Sequence, residues 1–296
     1  MKKLGIRENK MSSKTAEKKY RIPVGILIIL LILAALLILT GVGLYDGLKT
    51  TRYSISDTRI SADFDGFKIA HISDLHSLWF GEGQSEIIEA VAAEKPDIIV
   101  LTGDIVDAYR PDFQSVAALF DGLNDLAPVY AVQGNHEDHT RTYKEMNILY
   151  EEYGIVYLND SGVSISRNGS AIYLYGLRDR ETASGLARAA EKAPALGGDT
   201  YGILLYHRSD MFDQLKDLEY GLVLSGHMHG GLIRIPFFGG IITPKGYIDF
   251  GQKYDGGKYT VNGTTLISNR GLAPKHNMPR IFNRPEVVFV TLHCET

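Results

Sequence analysis

The 296-residue chain has a single cysteine, Cys294, almost at its end. One thiol excludes an internal disulfide and any cysteine-based metal cluster, and it carries no information about redox compartment. There is no excess of positive charge either: the net charge is -4, so no general attraction to nucleic acid is implied. Internal repeats and low-complexity segments are missing, and no linker divides residues 53 to 296. What remains, 45% hydrophobic and 22% charged, is a globular composition long enough for one large domain or two small ones.

A local absence is more informative. From Ile22 to Leu44 no residue is charged, and Val24 to Leu30 opens a nearly pure aliphatic run. Roughly 20 apolar residues are what a helix needs to cross the hydrocarbon core of a bilayer. A core helix of a soluble domain would show a polar face, which this run lacks. A signal peptide would have a shorter apolar region and a small-residue cleavage site, which Leu39 to Gly43 does not offer. The expectation is an uncleaved transmembrane helix over residues 22–44. Ahead of it, residues 1–21 carry Lys2, Lys3, Arg7, Lys10, Lys14, Lys18, Lys19 and Arg21 against only Glu8 and Glu17, the composition of a flexible basic tail. Positive charge on the amino side keeps that tail in the cytoplasm and exports the rest of the chain. Residues 45–52 would then be a short linker, and 53–296 the globular domain.

The exported part alternates strands and helices. An edge strand is expected over Tyr53 to Ile60, and Asp65-Gly66 turns the chain into a second strand, Phe67 to Ile72. The run Ile98 to Leu101 is apolar throughout, as in a strand buried on both faces. Helical patterns at Ser85–Ala93, Phe113–Leu123, Thr142–Tyr153 and Ala183–Ala193 alternate with strands at Val129–Val132, Ile172–Leu177, Tyr201–Leu205 and Tyr220–Leu224. Further strands are expected at Leu232–Ile235, Tyr259–Val261, Thr264–Ser268 and Glu286–Leu292. The β-α-β-α-β beginning indicates a layered α/β sheet, and one domain with two sheets is the economical reading.

Five of these strand ends carry the same kinds of atoms: Asp74 and His76, Asp104, Asn135 and His136, His207, and His227 and His229. Ligands collect at the carboxyl ends of strands in open α/β sheets. Asp104 follows Gly103, which frees the backbone to turn, although a strand-end Asp more often caps a helix. Asp74 and His76 lie two apart, so an extended backbone would point them to the same side. Carboxylate, imidazole and amide oxygen without thiolate suit a divalent metal such as manganese, iron or zinc. Seven candidate ligands, with His136 set aside, are too many for one tetrahedral ion and fit two ions sharing a bridging carboxylate. Each fragment alone is weak; their conjunction in this order, each behind a strand, is not.

The set Asp74-Leu75-His76, Gly103-Asp104-Ile105-Val106-Asp107, Gly134-Asn135-His136-Glu137, Tyr206-His207 and Gly226-His227-Met228-His229 resembles the complete signature of the calcineurin-like metallophosphoesterase superfamily. The stretches Ile72 to His76, Ser225 to Gly231, Ser268 to Leu272 and Phe282 to Glu286 resemble a bacterial, membrane-anchored branch of it. The resemblance spans residues 53–296 and leaves the anchor outside. It implies a four-layer α-β-β-α sandwich with a two-metal site at the strand ends. By analogy, Asp74, His76 and His229 hold one ion, Asn135, His207 and His227 hold the other, and Asp104 bridges them. His136 is then a non-ligand acid that meets the leaving oxygen, and Asp107 orients it. Two such cations can hold a bridging hydroxide as nucleophile and take up charge on the phosphoryl oxygen, so no serine or cysteine nucleophile need be sought.

The expected activity is a metal-dependent hydrolysis of phosphate ester or pyrophosphate bonds, with a phosphodiesterase the leading reading and a lipid-linked or cell-envelope substrate suggested by the anchor. Relatives of this branch act on UDP-linked acylated sugars or on phosphodiesters broadly; an extracytoplasmic catalytic domain argues against a cytoplasmic nucleotide-sugar lipid. The rival is a non-catalytic metal-binding scaffold of the same fold, which should have lost a ligand or the acid histidine; this chain has lost neither. Outside the constellation, His71 reads as a core residue, His139 as a candidate to line the cleft and His276 as solvated. Trp79 and Phe80 read as a rim or as loop packing, and Arg208, Arg270 and Arg284 as structural ion-pair partners.

Overall fold

The computed structural model describes residues 23–138, 142–179, 182–191, 200–274 and 278–295. The expectations for residues 1–21, His139 and His276, and for the last part of the helix over 183–193, lie outside the described residues. The chain divides into two bodies, one before Val42 and one from Val42 onward. The first is built on helix α1, Val24–Gly43, whose 20 residues include no acidic or basic side chain. At 1.5 Å per residue it is about 30 Å long, enough to cross a membrane.

The second body contains β1 (Lys49–Asp57), β2 (Lys68–Ile72), α2 (Ser85–Glu94), β3 (Ile98–Leu101), α3 (Phe113–Asn124), β4 (Val129–Ala131), α4 (Tyr143–Glu152) and β5 (Val156–Tyr157). It continues with β6 (Ser161–Arg167), β7 (Ser170–Gly176), α5 (Ala183–Ala190), β8 (Gly202–Arg208), β9 (Leu222–Gly226), β10 (Arg234–Ile235), β11 (Gly239–Gly240), β12 (Gly257–Val261), β13 (Thr264–Ser268) and β14 (Glu286–Cys294). These form two six-stranded sheets, ordered β1-β14-β2-β3-β4-β5 and β12-β13-β9-β8-β7-β6, plus the small β10-β11 hairpin. The central strands of each sheet run parallel: β2 to β5 in one, β7, β8, β9 and β13 in the other.

The period of two in a strand explains the layering. Ile98 and Val100 of β3 face the second sheet, where Ile203, Leu205, Leu222 and Leu224 meet them. Their neighbours Ile99 and Leu101 face outward onto Ile87 and Val91 of α2 and Leu119 and Phe120 of α3. Leu204, Tyr206 and Val223 do the same on the far side, against Leu186 of α5 and Phe212. Each sheet is thus covered on both faces, and every residue of β3 is buried, which is why its sequence is an unbroken apolar run. Full burial of one such side chain stabilises the fold by about 1.5 to 3 kcal/mol. The α-β-β-α sandwich expected of the sequence is the one observed.

Four elements differ from expectation. β5 and β6 were not legible, because β5 is only two residues long and β6, Ser-Gly-Val-Ser-Ile-Ser-Arg, lies on a sheet edge with no fully buried position. β1 starts at Lys49, four residues ahead of Tyr53, because its partner β14 is nine residues long and pairs with all of it, from Lys49 opposite Glu286 to Asp57 opposite Cys294. The strand expected over Leu232–Ile235 shrinks to the two residues of β10.

Candidate metal centre

The loops after β2, β3, β4, β8 and β9 meet at one point between the sheets. The first two are zipped together by backbone bonds: Asp74 N–H donates to Gly103 O at 3.0 Å, His76 N–H to Asp104 O at 2.9 Å and Ser77 N–H to Ile105 O at 2.9 Å. Gly103 turns with φ +90°, and a Cβ on it would lie 2.3 Å from Gly134 N, so the β3 and β4 loops touch only because it is glycine. The expectation that Asp74 and His76 converge along an extended backbone is corrected. Both are left-handed, with φ +54° and +48°, as are Asp104 at +52°, His227 at +73° and His229 at +50°. Such conformations cost about 1 to 3 kcal/mol each and persist where the surroundings over-determine them.

The convergence is tight. Atoms of Asp74, His76 and His229 lie within 4.8 Å of one another, as do those of Asp104, His207 and His227. His229 Nε2 is 3.4 Å from Asp74 Oδ1 and 3.3 Å from His76 Nε2, and His227 Nδ1 is 3.2 Å from His207 Nε2. Asp104 joins the groups: its Oδ2 lies 3.3 Å from His207 Nε2 and 3.6 Å from His76 Nε2. His76, Asp107 and His136 make a third cluster at the rim.

Ring tautomers follow from the groups behind. His207 Nδ1–H donates to Thr102 O at 2.7 Å, and His229 Nδ1–H to Ala273 O at 3.1 Å. Each therefore turns an Nε2 lone pair toward the centre, the usual arrangement behind a metal-bound imidazole. Asp104 Oδ1 accepts the His136 N–H at 2.9 Å, whereas its fully buried Oδ2, like the buried Oδ1 of Asn135, meets no hydrogen-bond donor among the described residues. Buried oxygens without donors are costly unless something else meets them. Metal–nitrogen bonds of 2.0 to 2.1 Å at a tetrahedral angle would separate two nitrogens by about 3.4 Å, close to the 3.2 and 3.3 Å of the two histidine pairs. The residues fit a pair of divalent cations.

The electrostatics agree. Burial opposes charge on His207, but the Asp104 carboxylate outweighs it and, with Asp74, draws the imidazole up to about 10. Burial raises the Asp74 carboxyl, helped by the charge of Asp104. For Asp104 burial acts upward too, yet the cationic forms of His207 and His136 hold it well below the usual carboxylate range. Two carboxylates and several imidazoles competing for protons in a dry pit are what divalent cations would neutralise.

His136 is set differently. Its Nδ1 accepts the Ala108 N–H at 3.0 Å, which leaves the ring proton on Nε2. Asp107 Oδ2 lies 3.9 Å from that Nδ1 and 3.7 Å from His76 Nδ1, between the two rings. Its Oδ1 accepts Tyr109 N–H and Arg110 N–H, each at 2.8 Å.

Several supporting residues carried no expectation. Glu137, fully buried, accepts backbone N–H groups from Asp104 (2.8 Å), Ile105 (2.6 Å), Val106 (3.1 Å) and Gly134 (2.8 Å). Asn283 Nδ2 donates to His229 O and Leu232 O, while the buried Arg280 donates to Ala273 O, Arg270 O and Asn283 O. Asn269 ties the β13 end to β2 through His71 O. Of the side residues, His71 is buried in the core against Thr102, Trp79 Nε1–H donates to Asp112, Arg208 pairs with Asp179 and Arg270 with Glu286. Among the described residues Arg284 makes no ion pair: it donates to Gly47 O and Leu48 O and lies over the Tyr45 ring.

Comparison with known proteins agrees with this geometry. Residues 67–231 match the family model described as calcineurin-like phosphoesterase. The chain is 34% identical to the uncharacterized metallophosphoesterase YkuE of Bacillus subtilis, over 83% of this chain and 85% of that one. It is 28% identical to the phosphodiesterase YaeI of Escherichia coli over 76% and 82% of the two chains. A third relative, a transmembrane protein with a metallophosphoesterase domain from Danio rerio, is 27% identical over 82% of this chain and 57% of its own. The sandwich, the converging aspartates and histidines and the match across the motifs lead to one conclusion: the chain belongs to the calcineurin-like phosphoesterase family and is a metal-dependent phosphoester hydrolase.

Proposed function

We propose that the protein is a membrane-anchored dinuclear phosphodiesterase. Residues 1–21 form a cytoplasmic tail, 22–44 the transmembrane helix, 45–52 a connection whose last four residues already pair in β1, and 53–296 the rest of an extracytoplasmic catalytic domain, the orientation resting on the positive-inside rule. The observation that carries the reading is the position of Asp104 Oδ2, within 3.6 Å of a ring nitrogen in each of two ligand clusters. Asp74, His76 and His229 would hold one ion and Asn135, His207 and His227 the other, with Asp104 shared between them. Oxygen and nitrogen donors without sulfur suit manganese, iron or zinc. When bound, such a pair activates water and takes up negative charge on the phosphoryl group.

The chain's own residues do the rest. His136, with its proton on Nε2, donates it to the departing oxygen, a contribution of roughly 100- to 10,000-fold. Asp107 positions His136 and His76 together; the neighbouring His76 and the backbone N–H groups of Arg110 and Tyr109 outweigh its burial and keep it ionised. A cleft of about 320 Å³ runs from His227 and Met228 to Lys245 and Tyr247 and offers room for the non-reacting half of a diester. The activity in the name of the relative YaeI supports the same choice.

The test uses the full chain in detergent, stripped with chelator and reloaded with manganese, iron or zinc, on a model diester and a model monoester. Hydrolysis that favours the diester and returns with metal is expected. Two filled metal sites without hydrolysis would leave a metal-binding scaffold.

A further inference from the structure

Between β9 and β12 the chain leaves a set of large apolar side chains in the open. Phe237 is 105% exposed and Phe238 84%, at the tip joining β10 to β11; Tyr247, Ile248 and Phe250 follow at 69%, 69% and 74%. Phe237 also has φ +71°, a conformation that a bulky side chain avoids. A strained backbone that turns an aromatic ring away from every core cluster gains nothing for the folded body itself. Adjacent exposed aromatic rings such as Phe237 and Phe238 mark a surface that meets something else.

The place of the patch indicates what it meets. Phe282 lines the same concavity as Ile235, Phe237 and Phe238. Its N–H donates to Gly43 O at 2.7 Å, and its ring lies about 3 Å from where a Cβ on Gly43 would stand. Gly43 is the last residue of α1. Gly43 belongs to the second body, so within that body the last residue of the apolar run stands against Phe282, and Arg284 bonds the residues after it through Gly47 O and Leu48 O.

We propose that Phe237 and Phe238 form a second membrane contact seated in the lipid headgroup region. The inference rests on the reading of α1 as an anchor. Aromatic rings favour that depth, apolar on one side and wet on the other. Seated there, the two rings give the catalytic body a point of contact with the bilayer besides α1.

The test exploits Trp79, the single tryptophan. In a Trp79→Phe background the full chain carries one new tryptophan, either Phe237→Trp or Asn168→Trp, the latter in the turn between β6 and β7 at the opposite end of the second sheet. Each is reconstituted into vesicles of phosphatidylcholine and phosphatidylglycerol, with and without brominated acyl chains. The tryptophan at 237 is expected to lose the larger part of its emission to brominated lipid, while that at 168 keeps its own. Equal emission at 237 in both vesicles overturns the proposal, and a signal that instead changes with protein concentration assigns the patch to a second copy of the chain. Alkaline extraction reports on α1 separately: a chain washed off the vesicles sinks the anchor, while quenching before the wash is a result about the patch. The double variant Phe237→Glu, Phe238→Glu should hydrolyse a soluble diester at the parent rate, which excludes misfolding as the cause of any lost contact.

Discussion

Glu137 holds Asp104 by the backbone. One carboxylate oxygen accepts the N–H groups of Asp104 and Gly134, the other those of Ile105 and Val106, so the β3 and β4 loops are tied to a single buried charge. Burial, and then the charge of Asp104, push the Glu137 carboxyl up to about 7, and the backbone N–H groups work against both. The left-handed turn at Asp104 is held open by this nest.

The substitution Glu137→Gln keeps the shape and turns an amide NH₂ toward backbone donors. Each buried N–H left facing it costs about 1 to 3 kcal/mol. Metal affinity should fall by about 10- to 100-fold, the usual effect of removing a group that orients ligands. Metal content after dialysis and the melting temperature measure the two effects. Unchanged metal content would make Glu137 purely structural.

Glu137 also shows where the sequence stops being legible. The ligand types could be read because each stands directly behind an apolar strand, and strand ends of a parallel sheet gather at one edge. A glutamate after His136 looks like any solvated loop acid until β3 and β4 are placed side by side. Asn269 and Asn283 are the same case: they bond to carbonyls of His71 and His229, distant in sequence. The left-handed turns at Asp74 and His76 were hidden for another reason, since alternation predicts an extended segment there and close packing of two loops overrides it. β6 was missed because an edge strand with no fully buried residue carries little apolar signal.

His136 and Asp104 should separate cleanly on substitution. His136→Ala removes a ring whose Nδ1 is occupied by the Ala108 N–H, so it should keep both metals and lose about 100- to 10,000-fold in turnover. Asp104→Asn removes the charge shared by the two clusters and should lose metal as well as activity. Metal analysis beside turnover decides the matter; equal metal loss in both variants would make His136 a ligand.

The pH dependence of stability has a contributor away from the centre. Burial lowers the His71 imidazole from 6.5 to about 3, only weakly opposed by the charge of Glu286, and its Nε2 meets Thr102 Oγ1 at 2.8 Å. In the folded chain the ring stays neutral, whereas the unfolded chain takes up a proton below about pH 6.5. Between those values the unfolded state binds more protons, so stability is present above pH 6.5 and is lost as the pH falls toward 3. The slope from this residue is about 1.4 kcal/mol per pH unit. His71→Gln keeps a hydrogen-bonding group for Thr102 and removes the titration. Unfolding of the parent and the variant by urea at pH 7, 6 and 5 should therefore show the parent losing stability faster on acidification by about that slope. Parallel pH profiles for the two chains would mean that His71 is protonated in the fold, with Glu286 rather than burial deciding its charge.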